Sequence, residues 1–291
     1  MNYNITAYST ALFSTWINVE QLNVLFDAGD GVSAGLLQKA RKVKHVFISH
    51  ADRDHLNGLP QFVQLNSREQ FPKIYYPKDS GSFPAYDDFL KKFDPHVTGS
   101  EWNGIESGSS TQIKKDVLVE AIRNEHVPCD MGIHKSLSYK VFTVKRKLKA
   151  EFQACSGDEI KAIVQQYGRD YISNEVRRNL VSFSGDTPVD DYSKWQDSEI
   201  LIHEATFLKD EVSAKIEARN KHSKLDEVLK MVSELNVGTL ILTHFSSRYS
   251  REEIDLETRK LLKELRIRIP VFIVYPGELK RDILAGAPIN G

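Results

Sequence analysis

The sequence predicts an α/β protein. Short apolar runs alternate along the chain with segments whose apolar residues recur at helical spacing, which is typical of a fold in which strands and helices alternate. The 291 residues contain 41% hydrophobic and 27% charged residues, as in an ordinary globular protein. This length is compatible with one large domain or two small ones, and we predict a single domain over residues 1–291.

The charge balance and the cysteine count exclude several classes of protein. Lysine and arginine number 39 and aspartate and glutamate 40, which gives a net charge of -1. Proteins that grip nucleic acid by bulk charge carry a large basic excess, so only a local basic patch remains compatible with this composition. The two cysteines, Cys129 and Cys155, favour a reducing, cytoplasmic compartment. We expect no signal peptide and no membrane span, since no apolar run approaches about 20 residues.

Five predicted strands end in polar residues. The apolar runs at residues 22–26, 43–49, 180–183, 200–202 and 240–242 are followed or closed by Asp27, His50, Asp186, Glu204 and His244. In open α/β sheets, ligands bind beyond the carboxyl ends of the strands. These ends therefore predict one shared rim of polar groups.

Helices are predicted after several of these strands. Apolar residues from Leu225 to Leu235 form one stripe, and Ser223 with Asp226 has the pattern of a capping box. Ser250 with Glu253 is a second such pattern. Residues 145–179 are less regular, with a short helix predicted near residues 158–167. We interpret them as an insertion or lid, because the segment is too short to bury a core of its own.

The densest group of chemically active side chains is the sequence His50-Ala51-Asp52-Arg53-Asp54-His55. It offers four potential metal ligands directly after a predicted strand. Imidazole and carboxylate together suit zinc, iron or manganese better than magnesium or calcium. A single histidine or aspartate at a strand end is usually a cap or a solvated turn residue. Together with His126, Asp186 and His244, however, the set is too large for one tetrahedral ion and fits two ions that share a carboxylate.

These residues also resemble a known family. The cluster from His50 to His55 resembles the HxHxDH signature of the metallo-β-lactamase superfamily, and residues 25–29 resemble the strand and turn that precede it. Within that superfamily the sequence is most similar to ribonuclease Z and its relatives. The segments that carry this similarity are His203-Glu204-Ala205-Thr206, His222-Ser223 and Thr243-His244-Phe245-Ser246-Ser247-Arg248-Tyr249. The resemblance spans about residues 22–276, and it implies an αββα sandwich of two mixed sheets flanked by helices.

The resemblance also implies a ligand set. One ion would be held by His50, Asp52 and His126, and the other by Asp54, His55 and His244, with Asp186 bridging the two. It further implies that His222 is a general acid oriented by Glu204. Homodimers are common in the resembling family, so a homodimer is a further expectation.

The chemistry of this ligand set is that of a hydrolase. Two neighbouring ions lower the pKa of a bridging water, which becomes the attacking hydroxide, and they clamp a phosphoryl group during in-line attack. A histidine paired with a carboxylate can protonate the leaving oxygen, although His222 and Glu204 can equally form a structural hydrogen bond. We count Asp54 with these two among the catalytic residues. Arg248 is either a phosphate contact or one partner of a surface salt bridge.

Two departures from the family bear on the metals and the substrate. Asp52 replaces the usual second histidine. We therefore expect two divalent ions, with zinc first, but manganese, iron or weak occupancy at the Asp52 position would also fit. Residues 135–180 contain little of the proline and glycine of the arm that grips transfer RNA, and they resemble relatives that lack it. The basic run at residues 145–149 contacts either phosphates or only solvent along a strand edge.

These observations favour a dinuclear phosphodiesterase related to ribonuclease Z, a transfer RNA 3′-processing endonuclease, with RNA as a candidate substrate. A small-molecule hydrolase of the lactonase or thioesterase type is the second hypothesis. It predicts a narrow, mainly apolar pocket. The third is a non-catalytic metal-binding protein whose first site is weakened by Asp52.

Overall fold

The computed structural model describes residues 3–208 and 221–291. Within these ranges the predicted α/β class is confirmed, because strands and helices alternate over much of the described chain. The strands are β1 Ile5–Thr10, β2 Ser14–Val19, β3 Val24–Phe26, β4 His45–Phe47, β5 Lys73–Pro77, β6 Glu101–Ile105, β7 Ser110–Lys114, β8 Val117–Arg123, β9 Leu137–Leu148, β10 Ser173–Phe183, β11 Ile200–Glu204, β12 Thr239–Thr243 and β13 Val271–Ile273.

The strands form two mixed sheets. The first has the order β1-β2-β3-β4-β5-β6, and the second has the order β13-β12-β11-β10-β9-β8-β7. Each sheet pairs antiparallel strands at one side with parallel strands at the other, as in the parallel pairs β3–β4 and β11–β12. Parallel pairs need crossover connections, and most of the helices lie in these connections.

The two sheets pack face to face through an aromatic core. Phe26 of the first sheet stacks on Phe183 of the second, with ring centroids 5.0 Å apart, and Phe47 contacts Tyr139 at 5.2 Å. All four rings are buried. Separate apolar clusters lie on the outer faces of both sheets, beneath the helices. The predicted αββα sandwich is therefore confirmed.

The helices lie in the connections between strands and cover these outer faces, apart from two that belong to a projection. Their bounds are α1 Val32–Leu36, α2 Arg53–Leu56, α3 Leu59–Asn66, α4 Ser82–Phe93, α5 Gly157–Tyr167, α6 Arg169–Ile172, α7 Leu225–Glu234 and α8 Arg251–Glu264. None of the helices in the described ranges has the length and apolar character needed to cross a lipid bilayer.

The predicted start of α7 is one residue too early. The helix is capped at Lys224, whose backbone N–H donates to Glu227 Oε2 at 3.3 Å. The Ser223 hydroxyl instead donates to the Thr187 carbonyl at 2.5 Å. This tertiary bond fixes the residue after His222, which local sequence rules do not anticipate. The second prediction is confirmed, because Ser250 and Glu253 form a reciprocal capping box at the start of α8.

Residues 145–179 form a projection from the second sheet. Strands β9 and β10 continue beyond their neighbours as an antiparallel pair, and α5 and α6 connect them. Phe152, Tyr167 and Tyr171 hold these helices together by ring contacts at 4.7 and 5.7 Å. Part of the basic run is engaged locally, since Arg146 pairs with Asp170. The helix predicted near residues 158–167 is confirmed as α5, while the lid role and the single-domain organisation stay predictions.

Candidate metal centre

The predicted ligands come from four separate segments that converge at one rim between the sheets. His50 follows β4, and Asp52, Asp54 and His55 lie at or in α2. His126 follows β8, Asp186 follows β10 and His244 follows β12. The parallel strands bring their carboxyl ends to the same edge, which places these loops side by side. All seven predicted ligands are therefore brought together.

The side chains form two groups of three around this edge. In the first, Asp52 Oδ2 lies 3.6 Å from both His50 Nε2 and His126 Nε2. We call His50, Asp52 and His126 the first triad. In the second, Asp54 Oδ2 lies 3.5 Å from both His55 Nε2 and His244 Nε2. We call Asp54, His55 and His244 the second triad. Each triad places its donor atoms within 4.8 Å of one another.

Asp186 stands between the two triads. Its Oδ2 lies 3.7 Å from His50 Nε2, 3.2 Å from His55 Nε2 and 3.3 Å from His244 Nε2. Gly185 precedes it with a φ of 58°, where a Cβ would collide with Ser49. A glycine is therefore needed for the backbone to bring Asp186 to this position.

The donor set fits metal ions. His50, His55, His126 and His244 all have a buried Nε2 atom with no hydrogen-bond partner among the described residues. Their Nδ1 atoms, by contrast, are all engaged, with Ser49 Oγ, Asp27 Oδ2, the Lys221 carbonyl and Thr206 Oγ1 respectively, at 2.7–2.9 Å. An engaged Nδ1–H leaves a lone pair on Nε2 for a metal. Four such nitrogens facing three carboxylates are costly unless cations bind between them.

The electrostatics of the centre point the same way. Hydrogen bonds from His126 and His50 hold the pKa of Asp52 below its ordinary value. Burial raises the pKa of Asp54 and Asp186, but the surrounding histidines outweigh it and the pKa of each falls. Burial, together with the neighbouring rings of His55 and His126, lowers the pKa of His50. Burial lowers the pKa of His55, but the Asp186, Asp27 and Asp54 carboxylates outweigh this effect and raise it, so a metal would have to displace a proton there. Ionised carboxylates and neutral imidazoles are the protonation states that divalent metals bind.

A fifth histidine, His222, lies beside the triads. His222 Nδ1 is 3.1 Å from Glu204 Oε1 and 3.9 Å from Asp186 Oδ2. Glu204 is fully buried at the end of β11 and also accepts the Thr187 N–H at 2.7 Å. Burial lowers the pKa of His222, but the Glu204 and Asp186 carboxylates outweigh this effect and raise it to about 9. The predicted pair is thus in contact, next to the shared carboxylate.

Comparison with known proteins agrees with this geometry. Residues 22–245 match the family model described as the β-lactamase superfamily domain, and this range contains every ligand described above. The chain belongs to the β-lactamase superfamily.

Similar proteins include one plant tRNase Z and one archaeal ribonuclease Z. The chain is 26% identical to tRNase Z TRZ2, chloroplastic, of Arabidopsis thaliana over 92% of its own length and 74% of that protein. It is 28% identical to ribonuclease Z of Methanocaldococcus jannaschii over 89% of each. The crystal structure of the metallo-β-lactamase fold protein YhfI from Bacillus subtilis superposes with a TM-score of 0.63 at 13% identity, covering 96% of this chain and 99% of that one. That likeness shows the fold.

Asp27 follows the first predicted strand and holds ligands of the metal centre in place. Its carboxylate accepts the Ser49 N–H at 2.6 Å and the Ser49 hydroxyl at 2.9 Å, and it accepts His55 Nδ1–H at 2.7 Å. It adopts a left-handed φ of 54°. Asp27 therefore fixes one ligand directly and a second, His50, through the Ser49 hydroxyl.

Thr206 is a site residue to which the sequence reasoning gave no role. Its hydroxyl donates to Glu204 Oε2 at 2.5 Å, accepts from His244 Nδ1 at 2.9 Å and lies 3.3 Å from His222 Nδ1. It thus connects a second-triad ligand to the His222–Glu204 pair. Its place in the His203-Glu204-Ala205-Thr206 segment was the available signal, but a threonine after a strand carries no ligand pattern of its own.

Arg248 lies on the exposed rim rather than among the ligands. Its guanidinium is 5.9 Å from the centre of the Phe207 ring, and its Nε donates to Ser246 Oγ at 3.1 Å. Phe207 in turn contacts the His222 ring edge-on at 6.1 Å. The Phe207 side chain therefore links Arg248 to His222.

Proposed function

We propose that this protein is a metal-dependent hydrolase of phosphodiester bonds and that its substrate is RNA, as the names of its tRNase Z and ribonuclease Z relatives indicate for those proteins. The observation that carries the proposal is the His222–Glu204 pair, which stands beside Asp186 and both triads. A metal centre alone serves many hydrolytic reactions. A centre with an adjacent proton donor suits a bond whose leaving group is an alkoxide.

The residues for two divalent ions are the two triads, with Asp186 shared between them. When bound, the ions polarise the phosphoryl group and lower the pKa of an attacking water. We propose zinc for both positions, with manganese or iron as alternatives at the first triad, because Asp52 makes that donor set harder. Asp54 contributes to catalysis as one of the proposed metal ligands of the second triad.

The remaining steps belong to side chains of the chain itself. The Glu204 carboxylate accepts His222 Nδ1–H and keeps the ring protonated and oriented. Thr206 and the Thr187 N–H hold that carboxylate in place. A protonated His222 then presents Nε2–H, which donates the proton to the departing oxygen. Arg248 is placed at the rim, where a guanidinium can contact a flanking phosphate.

The alternatives are less well supported. A small-molecule lactonase or thioesterase does not account for the similarity to nucleases over most of the chain. A non-catalytic role rests on a site disabled by Asp52, yet Asp52 Oδ2 is equidistant from both first-triad histidines at 3.6 Å. This placement supports Asp52 as a ligand rather than as a disabling substitution. A homodimer and a cytoplasmic location stay predictions.

The decisive experiment separates proton donation from metal binding. His222→Ala is compared with wild type on an RNA diester, which has a poor leaving group, and on a p-nitrophenyl diester, which has a good one. We expect kcat on RNA to fall about 10²–10⁴-fold, with a much smaller loss on the p-nitrophenyl ester and unchanged metal content.

The matched control is His96→Ala, since His96 is an exposed loop histidine outside the centre. It should alter neither rate. Equal losses on both substrates in His222→Ala would contradict the general-acid role. Wild-type protein that holds two ions per chain and cleaves neither diester would overturn the proposed function itself.

A further inference from the structure

The turn between β1 and β2 lies against the metal centre. The register pairs Thr10 with Ser14, which leaves residues 11–13 as a three-residue loop. The Leu12 backbone N–H donates to Asp54 Oδ2 at 3.0 Å, the same oxygen that faces the two second-triad histidines. The turn is thus one hydrogen bond from a predicted ligand.

The turn is also hydrogen-bonded to the segment that follows a second ligand of the same triad. The Ala11 N–H donates to the Phe245 carbonyl at 3.2 Å, directly after His244, and the Ser14 hydroxyl donates to the Asp30 carbonyl at 2.7 Å. A Cβ on Gly29 would collide with the Ser14 hydroxyl and the Asp54 carbonyl, so these segments pack without a gap. The backbone of the turn is therefore fixed relative to the ligands.

The residue types in this turn are not those that the stability of the hairpin would favour. Leu12 has a φ of 70°, a left-handed conformation for which glycine or asparagine is preferred in three-residue hairpin loops. Its side chain is nevertheless 87% exposed, and the neighbouring Phe13 is 63% exposed. Two apolar side chains are thus held in solvent on a strained backbone. Strain of this kind concentrates at binding sites, where the surrounding structure holds it in place.

We propose that Leu12 and Phe13 form an apolar platform for the nucleobase that flanks the scissile phosphodiester. The inference rests on the proposed function, because it assigns a part of the RNA to a surface beside the same centre. In the proposed function, metal ions and protonated side chains bind the phosphate of the RNA. The neighbouring base offers an uncharged π-face, and aromatic side chains stack on any of the four bases. This platform makes the turn a specificity determinant for nucleotide substrates.

The test compares two short RNAs that differ only by removal of the nucleobase next to the cleaved phosphate. Wild-type protein should have a higher kcat/KM for the intact RNA. In Phe13→Ala that preference should fall roughly tenfold, mainly through KM, since stacking on one aromatic ring contributes about that factor. Phe13→Trp should restore it, whereas Phe13→Ser should not.

A matched control is available at Leu37. It is another leucine with a positive φ, 51°, and an exposed side chain, at 68%, but it lies at the start of a 3-10 helix that carries no ligand. Leu37→Ala should leave the preference unchanged, while Leu12→Ala should reduce it. Thermal melting of each variant shows whether folding is retained.

The outcomes separate this inference from the proposed function. If wild type cleaves RNA but cleaves the intact and the base-free RNA equally well, the platform is wrong and the phosphodiesterase stands. The same holds if Phe13→Ala slows both RNAs by one common factor. If wild type cleaves no diester, the proposed function falls first.

Discussion

The two triads contain similar donors but differ in how far their carboxylates are exposed to solvent. The Asp52 carboxylate of the first triad is 46% exposed, whereas the Asp54 carboxylate of the second is 10% exposed. The ligand histidines of both triads are buried and have engaged Nδ1 atoms. The triads therefore differ in their carboxylates, since the buried Asp54 also accepts the Leu12 N–H. Buried ligands with engaged outer partners bind metal more tightly than exposed ones. From this difference we predict that the first triad exchanges a bound ion more readily than the second.

The largest effect should come from removing the carboxylate that both triads share. In Asp186→Ala, four facing histidines lose the negative charge that stands between them, so affinity for both ions should fall. We expect kcat/KM to drop at least about 10³-fold. Metal content by mass spectrometry, measured beside the rate, checks this outcome. Loss of only one ion would show that Asp186 belongs to a single triad.

A smaller and selective effect is expected for Asp27→Asn. The amide keeps the shape of the side chain but loses the charge that holds His55, so metal affinity of the second triad should fall roughly 10–100-fold. Competition with a chelator measures the affinity of each ion separately. Asp88→Asn, an exposed position on α4, is the control and should change neither ion. A larger loss at the first triad than at the second would reverse the assignment.

The smallest effect is expected for Asp52→His, which makes the first triad resemble the usual pattern of the superfamily. A third imidazole should favour zinc there by about tenfold and slow the release of that ion to a chelator. The second ion should be released at its original rate. If the first triad already releases its ion more slowly than the second in the wild-type protein, the comparison between the two triads is wrong.

Much of the candidate centre follows from local sequence. The five strands predicted from apolar runs are all present, and the polar residues at their ends meet at one rim, because parallel strands bring their carboxyl ends together. The cluster from His50 to His55 has its spacing fixed by a single short loop and helix. Apolar periodicity also predicted α7, and the Ser250–Glu253 pattern predicted the start of α8. These features depend on residues close in sequence, so pattern rules suffice.

Other features depend on residues that are distant in sequence. Ser223 is drawn away from its predicted cap position by the Thr187 carbonyl, and Thr206 meets His244 across 38 residues. Leu12 reaches Asp54 across 42 residues. No local pattern encodes such contacts, because they arise only when segments distant along the chain are brought together in the folded structure.

The sequence by itself determined the α/β class, the seven candidate ligands and the candidate pairing of His222 with Glu204. Only the tertiary structure decided which ligand is exposed and which is braced, and that a strained apolar turn lies against the centre. The physical reason is that the type of donor is a property of one residue. Its burial and its hydrogen-bond partners are instead properties of the packed sandwich.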